Sequence, residues 1–194
     1  MAGTFPISNS KFSTMGIRTS QDTIITITDS GKKLSRQIDG QRFGFTAQII
    51  TAKRSDVYGE LMAFIVKQRS GKENFTIVPP EVENARGTAS GTPNGTASAG
   101  ATSITLGGSG TGTLKAGDFI KFASHDKVYM VVADQSDIST GSLTIEPPLT
   151  TAITNSDIQF DNVPFTVHLT NDIQEFGVVG SDKDGNAYIN LNLM

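Results

Sequence analysis

The chain has no cysteine and no tryptophan among its 194 residues, and only two histidines. Without cysteine there is no disulfide framework and no thiolate metal site. The fold must rest on its own core, and this length gives room for one domain or two small ones. Without tryptophan, and with aromatics at 7%, no stacking platform for sugars or single-stranded nucleic acid is evident. No apolar run approaches the ~18 residues of a membrane-spanning helix. The leading MAGTFPISNSKF has no apolar stretch of the kind a secretory signal needs. A formal charge of −3 argues against sequence-specific nucleic-acid binding as the main task.

Positive charge is scarce at one end. Residues 131–194 hold one basic residue, Lys183, against nine acids, whereas residues 1–86 hold twelve Lys or Arg against eight acids. Solvated faces alone produce such runs, but segregation of this kind also favours association of one copy with another.

Glycine is abundant in two stretches, ARGTASGTPNGTASAG (85–100) and GGSGTGTLK (107–115). Neither fits a phosphate cradle. Gly112, Thr113 and Leu114 stand where a P-loop ends in Gly-Lys-Ser/Thr. Thr113 takes the place of the last glycine of a dinucleotide fingerprint, and the following LKAGDFIKFAS alternates like a strand. The first stretch reads as a linker.

The dominant period is two. TIITITDS (23–30) reads as a half-buried strand followed by a turn at Asp29-Ser30-Gly31, and RFGFTAQIIT (42–51) as a strand burying Phe43, Phe45, Ala47 and Ile49. A single helix is expected over 56–69. Ser55 or Asp56 would cap it, and Val57, Leu61, Phe64, Ile65 and Gln68 fall on one face. ENFTIVPP (73–80) is a strand closed by prolines. TSITL, DFIKFAS, KVYMVVAD and GSLTIEP, between 102 and 147, have the spacing of a small barrel or sandwich. DIQFDN, VPFTVHLTN, QEFGVV and NAYINLNL finish the chain, with Asp184-Gly185 as a hairpin turn.

The expected fold is therefore mainly β, strand-rich with one α-helix and an inserted small β-barrel. The parent domain comprises 1–80 plus 150–194. The insert is 81–149, led into by the Gly/Ser/Thr-rich linker.

No catalytic, metal or cofactor site is expected. His125 adjoins Asp126 in a turn, where neighbours seldom face each other, and His168 alternates with Val167 and Leu169 on a strand. DKDGNAY places Gly185 at the wrong loop position for an EF-hand. The acid pairs Glu81/Glu83 and Asp182/Asp184 would need a cleft around them for glycoside chemistry. The chain's product is a surface.

The run QRFGFTAQIITAKRSDVYGELMAFIVKQRSGKENFTIVPP resembles tail proteins of tailed bacteriophages, especially distal tail and baseplate-hub proteins. The shared features are Arg42-Phe43-Gly44-Phe45, then Ala63 to Gln68 leading to Gly71, and Phe75 to Pro80; the spacing between Gln68 and Gly71 departs from the pattern by one residue. GTLKAGDFIKFASHDKVYMVVADQ with GSLTIEPPL is similar to an insert of such tail proteins. The resemblance implies a β-sandwich, split-barrel-like, with one flanking α-helix beside the inserted barrel, in a non-enzymatic virion protein made in the host cytoplasm. It would form a homo-oligomeric ring, commonly hexameric, that joins the tail tube to the hub or receptor-binding apparatus. A tail tube or head–tail joining protein is the alternative within this class; a carbohydrate-binding module or glycan-cleaving tail protein is the alternative outside it. In a ring, Arg42, Lys53 and Arg54 are expected to meet Asp157, Asp161, Asp172 and Glu175 of a neighbour. No cofactor and no membrane partner are implied.

Overall fold

The computed structural model describes residues 3–7, 12–38, 40–51, 59–80, 82–173 and 187–193. It divides into two compact units: Met1–Phe75 with Val167–Met194, and Thr76–Thr166.

In the first unit, β1 (Phe12–Ser20), β4 (Arg42–Thr51) and β13 (Ala187–Leu193) form an antiparallel sheet with β4 in the centre. The alternation in β4 works as expected: Phe45, Ala47 and Ile49 are buried, and Phe43 is half-buried. The helix α1 spans Gly59–Lys67, inside the expected 56–69, and its Leu61 and Ile65 are buried. Its proposed cap residues and Val57 lie outside the described residues, as do QEFGVV and the Asp184-Gly185 turn. Phe5 joins the elements. Its ring packs on Phe12, Phe64 and Phe75 at centroid distances of 5.9, 5.6 and 6.0 Å, an aromatic cluster that adds to simple burial.

The strand expected over 23–30 is not half-buried. β2 (Thr23–Ile27) pairs only with β3 (Lys33–Gln37), and every residue of both strands is exposed. The turn is where it was expected: Gly31 adopts φ 78° and its N–H donates to the Thr28 carbonyl at 2.8 Å. β2 and β3 extend the β1–β4 pair beyond Ser20 and Arg42. The two form an arm of about 17 Å, at ~3.4 Å per residue.

The chain passes between the units inside β5 (Phe75–Ile77) and β12 (Phe165–Val167), which pair with each other. The second unit is a closed six-stranded barrel, in which β6 (Ser90–Ala97), β7 (Ser103–Thr111), β8 (Phe119–Phe122), β9 (Val128–Val131), β10 (Ser142–Glu146) and β11 (Ile153–Gln159) are ordered β10-β7-β6-β11-β8-β9. Ile104, Ile120, Phe122, Tyr129, Val131, Leu143 and Ile145 fill it, each 0% exposed.

Two expectations are corrected here. The Gly/Ser/Thr stretch is not a linker but strand β6, paired along its length with β7, which itself runs on through GGSGT. Glycine is needed because the strands and their neighbours approach closely. An added Cβ on Gly91 would stand 2.4 Å from the Ser109 carbonyl oxygen, and one on Gly110 would stand 2.7 Å from Pro93 Cβ. The barrel also does not end at 149. It closes through β11, which places Ile153 and Ile158 in the core; Pro147-Pro148 ends a strand rather than a domain.

Candidate interaction surfaces

The β2–β3 arm is the largest apolar feature left uncovered among the described residues. Ile24, Ile25, Ile27 and Leu34 are 49–69% exposed. Residues directly opposed across the pair share a face. Ile25 and Ile27 therefore lie on one side with Ser35 and Lys33, and Ile24 and Leu34 lie on the other with Arg36 and Thr26. A two-stranded hairpin is marginal in water without packing on one face. This one offers apolar residues on both. The adjacent pair Ile24-Ile25 breaks strict alternation, and that was the signal in the sequence that neither face is purely polar.

Of the residues expected at an interface, Arg42 is exposed at the base of the arm, where it pairs with Ser20. Asp172 is exposed, and its carbonyl accepts from Ser70 Oγ at 3.0 Å. Asp157 is exposed on β11. Asp161 is half-buried and structural: its Oδ1 accepts the Ala85 N–H at 2.9 Å. These four make no ion pair among the described residues. Lys53, Arg54 and Glu175 lie outside the described residues.

The histidines sit apart. His125 Nε2 meets the Tyr129 hydroxyl at 2.9 Å and its Nδ1 meets Ser124 Oγ at 3.2 Å, while Asp126 pairs with Lys121 at 3.0 Å. Burial holds His125 below its ordinary value of 6.5, against the attraction of Asp126 and with help from Lys121. The unfolded chain then binds this proton more readily than the folded barrel. Stability is retained above pH ~6.5 and falls as the pH drops through the folded value. Thermal unfolding followed from pH 7.5 to 5.5 is expected to show this loss, and His125→Gln to flatten it; a profile unchanged by the substitution assigns the loss to other groups. His168 lies just beyond β12, half-buried, and lines an open cleft in the first unit. No cluster of three or more His, Asp or Glu able to hold a metal occurs among the described residues.

Residues 82–163 match the family model of the B domain of distal tail protein pb9. The barrel is similar to that domain, and the match covers less than half of the chain. The matched segment runs from just before Ala85, pinned by Asp161, to Val163, and so takes in all six strands. It includes β11, consistent with the closure described above. The chain thus carries a segment similar to a domain of a phage distal tail protein. A search of curated proteins finds no significant match.

Proposed function

We propose that this protein is a ring-forming component of the distal tail or baseplate, joining the tail tube to the hub or receptor-binding apparatus. The observation that carries the reading is the β2–β3 arm, with exposed apolar side chains on both faces and no other described strand paired with it. Joined to a tail-protein barrel, it favours burial against further copies. An arm on one surface that docks on a different surface of the next copy gives a heterologous contact, which closes into a ring when the rotation permits. We further propose that Arg42, with Lys53 and Arg54, faces Asp157, Asp161, Asp172 and Glu175 of the neighbour, and that the ring is six-fold. An extra barrel on every subunit crowds a stacked tube, which favours a single ring.

Light scattering across protein concentration, with negative-stain images, tests the reading. Rings or discrete oligomers are expected. A chain that stays monomeric at every concentration, with purified tail tube present as well, overturns it. Ile25→Asp with Ile27→Asp is expected to raise the concentration needed for association by a hundredfold or more. Burying an isoleucine is worth ~2 kcal/mol, and 1.4 kcal/mol is a factor of ten. The monomer should melt unchanged, because both residues are more than half exposed. Association undiminished in this variant would remove the arm from the interface.

A further inference from the structure

The first unit holds an open cleft of about 730 Å³, lined by Arg18 of β1, by Arg69, Gly71 and Lys72 after α1, and by His168 and Thr170 after β12. None of Arg18, Arg69 and Lys72 has an ion-pair partner among the described residues. Asp172 is the one acid lining it among the described residues, so the three basic side chains leave two positive charges unbalanced.

The turn bearing these groups is built rather than loose. Arg69 and Ser70 hold left-handed backbone, φ 52° and 60°, which non-glycine residues seldom adopt. Ser70 Oγ ties the turn to the Asp172 carbonyl, and Gly71 lies so close to Leu169 that an added Cβ would stand 2.6 Å from its carbonyl oxygen. The backbone N–H groups of Gly71 and Lys72 have no acceptor among the described residues. Successive amides around a left-handed turn form a concavity that favours anions. Balancing the negative end of α1 accounts for one nearby cation. It leaves Arg18, Lys72 and the free amides unexplained.

We propose that this cleft binds a phosphate-bearing ligand through a dianionic phosphate or diphosphate group. Two guanidinium forks suit phosphate oxygens, which they contact in parallel pairs. A phosphomonoester carries close to the two negative charges that the cleft leaves unbalanced. The space exceeds a lone phosphate and falls in the range of small-molecule sites, about 300–1,000 Å³, so the phosphate is one end of a larger molecule.

The test is titration of the full chain with pyrophosphate, inorganic phosphate and a short double-stranded DNA at low salt, read by calorimetry and amide chemical shifts. Pyrophosphate is expected to bind and to shift the Gly71 and Lys72 amides. Arg69→Gln with Lys72→Gln is expected to weaken it at least tenfold, with circular dichroism and melting temperature unchanged. Three results overturn the proposal: no binding of pyrophosphate or phosphate at millimolar concentration, binding undiminished in the variant, or binding of DNA alone, which would mark a diffuse attraction for polyanions.

Discussion

Gly95→Val is expected to unfold the barrel or to cost it about 3 kcal/mol, the upper range for forcing carbon into a packed core. Gly95 is a buried residue of β6 that faces inward. An added Cβ would stand 2.7 Å from Ile104 Cγ2, 3.1 Å from Phe122 Cε1 and 3.4 Å from Ile153 Cδ1. The first neighbour cannot swing aside easily, because a β-branched side chain is restricted at χ1. Ile104 and Phe122 are both 0% exposed, so neither has solvent to move into. Gly100→Ala is the control. Its φ of 81° imposes backbone strain, but nothing lies within 4 Å of the added atom, so a cost of about 1 kcal/mol is expected. Chemical denaturation of the full chain measures both. Adding Phe122→Leu to Gly95→Val should recover part of the loss, since contacting residues are energetically coupled. Equal losses for the two glycine variants would mean that the core absorbs the added carbons and that crowding does not make Gly95 necessary.

That glycine also explains what could be read from the sequence and what could not. Strands with a regular pattern were legible. Phe45, Ala47 and Ile49 on β4, and Leu143 and Ile145 on β10, alternate with the polar side chains of Thr46, Gln48, Ser142, Thr144 and Glu146. Leu61 and Ile65 marked the helix for the corresponding reason at a period of 3.6. The glycine-rich segment was misread because glycine has two physical uses. It loosens a chain that has no partner, and it lets backbones approach when partners crowd in. Only the second applies at Gly91, Gly95 and Gly110, and it depends on Ser109, Ile104 and Pro93, which local composition does not bring together. The barrel's last strand was displaced for a similar reason. Pro147-Pro148 is a local stop signal, whereas closure depends on Ile153 and Ile158 entering a core built from residues as far back as Ile104. The β2–β3 arm was read as a strand but not as an exposed one; alternation predicts a face, not what covers it. The cleft was invisible, since Arg18, Lys72 and His168 come from separate segments.

Asp118→Ala is expected to cost the barrel about 3 kcal/mol, because it removes one carboxylate that serves two backbone donors. Asp118 is 3% exposed. Its Oδ1 accepts the Arg86 N–H at 2.8 Å and its Oδ2 accepts the Lys115 N–H at 2.7 Å. Arg86 returns the contact, its Nη1 donating to the Ala116 carbonyl at 2.8 Å. The Val131 N–H donates to the Asp118 carbonyl at 2.8 Å, bringing β9 to the same corner. One side chain therefore clamps the chain ahead of β6 to the turn before β8. Truncation leaves two part-buried N–H groups without an acceptor, and each such loss costs about 1–3 kcal/mol. Asp118→Asn tests the charge separately from the shape. It keeps one acceptor but turns an NH₂ toward the other donor, so about half the loss is expected. Denaturation of the full chain, with hydrogen exchange at the Arg86 and Lys115 amides, resolves the two effects. Faster exchange confined to those amides, with stability lowered by less than about 1 kcal/mol, would mean that water replaces the carboxylate and that the barrel's closure does not depend on this clamp.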